Sequence, residues 1–184
     1  MRRCLVAACA LLTMLQGCDS QRSGTDKSRM PPSSSAVAAA PPSASTPDVH
    51  EVRPGDTAHL VDVRLAGHDG FDRLALEFED RVPGYTVGYR PPPAHADGSG
   101  AEIPLPGANA LIQVTLTPAT GWRNDARTYD GPRTVTGGTA SVTEVKAAGD
   151  FEAVLSWVVG LRTRVPFRVL VLDGPPRLVI DFQV

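Results

Sequence analysis

The sequence predicts an all-β domain, an antiparallel β-sandwich, standing behind a long low-complexity linker. Three observations predict it. Apolar and polar residues alternate in short runs from about residue 60 to the last residue. Turn-forming residues interrupt those runs repeatedly, and no window of useful length carries an apolar stripe of helical period. Period-two patterning marks half-buried strands, and short strands with frequent turns argue for two packed sheets.

The chain begins with Arg2 and Arg3, continues through an apolar stretch over residues 4–15, and reaches Leu15-Gln16-Gly17-Cys18. A basic start followed by an apolar run of about 12 residues has the layout of a signal peptide, and it falls short of the ~20 residues a bilayer span requires. Cysteine directly after Leu-x-Gly is the pattern of a bacterial lipobox. Residues 1–17 are therefore expected to be removed. Cys18 is expected to carry diacylglycerol through its sulfur, with fatty acids such as palmitate anchoring the protein on the extracytoplasmic face of the cell membrane. The three cysteines are Cys4, Cys9 and Cys18. None falls in the domain, so a disulfide, a thiolate nucleophile and a Cys-ligated zinc are all excluded there.

Residues 18–56 are expected to be the lipidated cysteine and a disordered linker. Pro31-Pro32-Ser33-Ser34-Ser35-Ala36 and Ala39-Ala40-Pro41-Pro42-Ser43-Ala44 offer little to bury against the entropy cost of ordering. A flexible chain of roughly 40 residues spans roughly 35 Å, which sets the domain a short way off a membrane.

The domain is placed at residues 57–184. Its first strand is expected over residues 60–65, ending at the turn His68-Asp69-Gly70. Leu74, Leu76 and Phe78 then alternate with Ala75, Glu77 and Glu79. After Val82-Pro83-Gly84 comes a strand over residues 85–89, and after Asp97-Gly98-Ser99-Gly100 the alternation of Ile112, Val114 and Leu116. Beyond Gly137-Gly138, Ala153, Leu155, Trp157 and Val159 mark one face of a further strand. Phe167, Val169 and Val171 mark the next, and Leu178, Ile180, Phe182 and Val184 close the chain after Asp173-Gly174-Pro175. Trp157, Phe78, Ile180 and Phe182 are expected in the core.

With 18 basic and 20 acidic residues the formal net charge is −2. A nucleic-acid partner is not expected, since such binders carry a basic face. Gly-x-Ser-x-Gly, His-Glu-x-x-His and a glycine-rich phosphate loop are missing, and the four histidines lack metal-ligand spacing. No catalytic role, metal or other cofactor is expected. Two places are candidates for ligand binding. Gly67-His68-Asp69-Gly70-Phe71-Asp72-Arg73 gathers His68, Asp69, Asp72 and Arg73 within one turn. It reads equally as a hairpin, with Phe71 stapling the loop to the core and Arg73 pairing with Asp72 or a neighbouring strand. Trp122 and Tyr129 lie in a polar loop context that suits half-wet contact with sugar or protein, or a lid over the core. A carrier holding an apolar ligand between the sheets and a hydrolase built on residues 68–73 are the alternatives.

Gly67-His68-Asp69-Gly70-Phe71-Asp72-Arg73-Leu74, Pro83-Gly84-Tyr85, Asp97-Gly98-Ser99-Gly100, Tyr129-Asp130-Gly131-Pro132, Gly149-Asp150-Phe151-Glu152, Pro166-Phe167-Arg168-Val169 and Pro176-Arg177-Leu178-Val179-Ile180-Asp181 together resemble the AMIN-like domain of actinobacterial secreted proteins and lipoproteins. The first and last are the more specific. The resemblance covers essentially the whole domain. It implies a β-sandwich module without catalytic activity that engages peptidoglycan or an envelope protein.

Overall fold

A computed structural model of the chain describes residues 47–184; the expected signal segment 1–17, Cys18 and the linker as far as residue 46 lie outside the described residues. The strands are, in chain order, β1 (Val49–Glu51), β2 (Ala58–His68), β3 (Phe71–Phe78), β4 (Gly84–Arg90), β5 (Ala94–His95) and β6 (Glu102–Ile103). They continue with β7 (Ala110–Thr117), β8 (Ala119–Thr120), β9 (Trp122–Arg123), β10 (Ala126–Arg127) and β11 (Thr134–Val135). The last four are β12 (Val142–Phe151), β13 (Val154–Leu161), β14 (Phe167–Leu172) and β15 (Arg177–Gln183). No helix occurs among the described residues.

Two sheets form the sandwich, ordered β1-β4-β7-β13-β12-β11 and β14-β15-β3-β2-β8; β5 with β6 and β9 with β10 are separate small hairpins. The pairing is antiparallel except for β2 with β8, where Ala58 and His59 run parallel to Ala119 and Thr120. Strict alternation on β3 puts Leu74, Leu76 and Phe78 into the core, facing Ile112, Val114, Leu116, Trp157 and Val159 from the other sheet. Trp157, Phe78, Ile180 and Phe182 are all buried, as their strand positions predict. Each such side chain contributes on the order of 1.5–3 kcal/mol by leaving water.

Strand β13 is buried on both faces. Trp157 and Val159 point to the main core, while Val158 joins Ala94, Leu111 and Ala148 in a second cluster packed by Ile103 and Leu105. The β5/β6 hairpin, which supplies Ala94 and Ile103, is what removes this outer face from water.

Three features depart from the sequence reading. Strand β1 lies within residues 18–56 and pairs with β4, Val49 opposite Val87. Its anchor is polar: Tyr85 donates to Glu51 at 2.7 Å and Arg53 pairs with the same carboxylate at 2.6 Å. Strand β12 carries no clean alternation because its register shifts twice, between Val142 and Glu144 and between Ala147 and Gly149. A bulge inserts a residue and reverses the faces after it. Phe71 does not reach the core; it lies on the outer side of β3, stacked on His68 with ring centroids 4.8 Å apart.

Candidate binding cleft

The second register shift in β12 leaves Ala148, Gly149 and Asp150 at one wall of a cleft of about 560 Å³. That volume lies within the range of small-molecule sites. The 96–99 turn and residues of the 121–133 segment supply most of the remaining lining. Leu60, Leu155 and Trp157 belong both to the core and to the lining.

Each wall is held by identifiable contacts. The Asp97 N–H donates to the Ala148 carbonyl at 3.0 Å, and the Ser156 hydroxyl donates to the Asp97 carboxylate. A Cβ on Gly149 would fall 2.4 Å from that carboxylate, so only glycine lets the turn close on the strand. In the 121–133 segment, the Gly121 N–H donates to Asp150 at 2.9 Å, and Thr128 donates its hydroxyl to the Leu60 carbonyl at 2.8 Å. Tyr129 meets Trp157 edge to face at 5.7 Å and donates its hydroxyl to the Pro132 carbonyl. Its ring occupies the space a Cβ on Gly131 would need, with ring atoms 2.6 Å from that position. Burial, assisted by the charge of Asp62, raises the pKa of Tyr129.

The rim is aromatic and wet. Trp122 is 43% exposed and Phe151 72%, and both line the cleft. Trp122 sits on β9 opposite Arg127 of β10, whose guanidinium lies 4.9 Å from the indole centroid. The intervening Asn124 and Asp125 take positive φ, 47° and 64°, the condition of a type I′ turn and one these side chains tolerate. Arg123 ties this hairpin to the second sheet, 3.1 Å from Glu79, 3.2 Å from Asp80 and 2.8 Å from His59 Nδ1. Partial burial pushes the Asp80 carboxyl up, but hydrogen bonds from His59 and from the His59 and Arg81 amides outweigh it and the net shift is downward.

The other candidate cluster is built differently. Asp69 and Gly70 make the β2/β3 turn, with Gly70 at φ 81°. Asp72 shares the inward face of β3 and is 1% exposed. Its carboxylate accepts the N–H groups of Ala140, Ser141 and Val142 at 3.1, 2.6 and 2.9 Å, fastening the approach to β12. Gly67 serves the same docking, since a Cβ there would lie 2.6 Å from the Gly138 carbonyl oxygen. Arg73 points outward, 5.0 Å from the Phe71 centroid, and pairs with Asp181. His68 and Asp69 are exposed. None of residues 67–73 lines the cleft, so the structure brings Trp122 and Tyr129 together and leaves His68, Asp69, Asp72 and Arg73 elsewhere. No group of three or more His, Cys, Asp or Glu side chains suited to a metal occurs among the described residues.

Sequence reasoning did not single out Phe151, Asp150, Arg127 or Arg133 as lining residues. A signal was present nonetheless: Asp97-Gly98-Ser99-Gly100, Tyr129-Asp130-Gly131-Pro132 and Gly149-Asp150-Phe151-Glu152 are separate segments that the fold gathers around one cleft. The described residues thus form an all-β sandwich with an aromatic-rimmed cleft. The chain matches the AMIN-like domain family over residues 58–184 and belongs to it. Family membership associates it with the cell envelope as a binding module. Comparison with curated proteins returned no significant match.

Proposed function

We propose that this protein is a lipid-anchored, extracytoplasmic binding module without catalytic activity, whose cleft engages cell-wall glycan. The observation that carries the reading is the pair of exposed aromatic rings, Trp122 and Phe151, at the mouth of a cleft floored by Trp157. Sugar rings present apolar C–H faces edged with hydroxyls, and exposed aromatics beside polar groups match both. His68, Asp69, Asp72 and Arg73 serve in this reading as the fastening of the β2/β3 hairpin rather than as ligand contacts. Cys18 is the anchor, in keeping with its place after Leu15-Gln16-Gly17.

The test is retention of the purified protein on isolated peptidoglycan, with envelope proteins as competing bait. Wild-type protein is retained, and Trp122→Ala keeps its melting midpoint while losing retention. Equal retention of the variant, or capture by envelope protein alone, would sink the assignment. For the anchor, Cys18→Ser accumulates as uncleaved precursor; normal processing with continued partition into detergent would remove the lipid from the account.

A further inference from the structure

Four charged side chains line the cleft, and they differ in what they already do. Asp97 is turned onto the Ser156 hydroxyl and over Gly149, and Asp150 accepts the Gly121 N–H. Both acids hold the walls. Arg127 lies over the Trp122 ring, and neither it nor Arg133 meets a carboxylate among the described residues. Both arginines are exposed. Beneath them Trp157 is 1% exposed, and its Nε1–H is buried without a hydrogen-bond partner. A buried N–H without a partner is uncommon and calls for an explanation. The cleft thus carries two exposed guanidiniums without a carboxylate partner, while the two carboxylates that line it are engaged within the fold.

We infer that the cleft selects glycan bearing a carboxylate, with the Arg127 and Arg133 guanidiniums as its anion contacts and the Trp122 and Phe151 rings against the adjoining sugar face. The inference rests on the glycan reading above and narrows it. A guanidinium binds a carboxylate through paired N–H donors, which are stronger than neutral hydrogen bonds and directional. A neutral sugar would leave both guanidiniums as they are. In peptidoglycan such a carboxylate comes either from the lactyl ether of a muramyl residue or from an attached peptide.

Calorimetric titration of the full chain with three probes decides the matter. Chitobiose is neutral. The disaccharide of N-acetylglucosamine and N-acetylmuramic acid carries a free lactyl carboxylate. The same disaccharide with a peptide amide-bonded at the lactyl group carries carboxylates on the peptide alone. At least one of the acidic probes binds about tenfold or more tightly than chitobiose, the expected scale for a charge-assisted pair. The one that does identifies the source. Added salt narrows the difference. Arg133→Gln removes one of the two anion contacts and weakens the preference several-fold, while the melting midpoint stays unchanged because Arg133 is exposed. Equal affinity for all three probes, or a preference undiminished in Arg133→Gln, overturns the carboxylate inference and leaves the glycan reading standing. Binding of none of the three overturns both.

Discussion

Arg73 on β3 and Asp181 on β15 stand opposite each other in the second sheet, 108 residues apart in sequence, joined by two hydrogen bonds of 2.6 and 2.8 Å. Arg168 of β14 closes on the same carboxylate from the other side, at 3.0 and 2.8 Å. Asp181 is wholly buried beneath the two guanidiniums, on the outward face of a strand whose inward face carries Leu178, Ile180 and Phe182. A carboxylate buried on an outer sheet face is stable only because cations cover it.

Removing that carboxylate leaves two guanidiniums facing each other without a counterion. Asp181→Ala is expected to cost about 3 kcal/mol, the scale of breaking a buried pair. Burial alone would raise the Asp181 pKa, but the hydrogen bonds from Arg73 and Arg168 override it and hold the value below the ordinary range. Its contribution is therefore complete above about pH 4, the unfolded-state value, and is lost as pH falls through the lower folded-state value. Denaturant melts taken downward from pH 5 should show wild-type protein losing stability that Asp181→Ala has already lost. Parallel pH profiles would count against the pair.

Asp72 makes the second prediction. Its two oxygens accept three backbone N–H groups, so Asp72→Asn, which turns one oxygen into a donor, forces an N–H against an NH2 group. The expected loss is about 3 kcal/mol. His68→Ala, on the exposed side of the same hairpin, should change stability by no more than about 0.5 kcal/mol. Chemical denaturation separates the two. A near-neutral Asp72→Asn would mean that the amides of residues 140–142 find water instead. Loss of glycan retention in a stable His68→Ala would return the hairpin to the list of binding surfaces.

The seven strands read from the sequence were legible because one face of each carries an apolar set at every second residue that meets the core; β13, buried on both faces, showed it through Leu155, Trp157 and Val159. Leu74, Leu76 and Phe78 illustrate it. Asp72 continues the same inward set, and only the partner loop 140–142 makes an acid there intelligible; no local pattern announces a partner some 70 residues away. Strand β12 was hidden by its own bulges, which put Val145 and Ala148 inward and outward out of step. Strand β1 was hidden by composition, since three residues beside proline and aspartate show too little alternation to read. For the cleft, Trp122 and Tyr129 could be singled out as aromatics in a polar loop. Phe151 could not, because its exposure follows from lying at the end of a hairpin whose register depends on those bulges.

Tyr85 gives a prediction at the opposite end of the pH scale. It is buried and donates its hydroxyl to Glu51, and burial first, then the Glu51 carboxylate, push its pKa up to about 12. The folded state therefore holds a proton that the unfolded chain releases near pH 10. The stabilisation is fully present below about pH 10 and is lost as pH rises toward 12. Tyr85→Phe should flatten that part of the stability profile and loosen β1, which the hydroxyl helps to fasten. Hydrogen exchange at the β1 amides, compared at neutral pH, measures the second effect. An alkaline profile identical to wild type would show that Tyr85 does not carry the transition.

The β12/β13 hairpin turns through Glu152 and Ala153, both at positive φ, 49° and 58°. Two-residue turns of this kind favour Asn-Gly, and a side chain with a Cβ is strained in the left-handed region by about 1 kcal/mol. The neighbouring β9/β10 hairpin meets the same demand with Asn124 and Asp125, which carry it at less cost. Replacing both residues, Glu152→Asn with Ala153→Gly, should therefore stabilise the domain by about 1 kcal/mol and raise its melting midpoint by about 3 °C. The glycine offsets part of the gain, since it also frees the unfolded chain. Phe151 directly precedes this turn at the cleft mouth, so the same variant tests whether the strain sets the ring's position. A raised midpoint with weakened glycan retention would tie the strain to binding, as expected where backbone strain sits beside a site. A raised midpoint with unchanged retention would confine it to the turn, and an unchanged midpoint would show that the two side chains find compensation there.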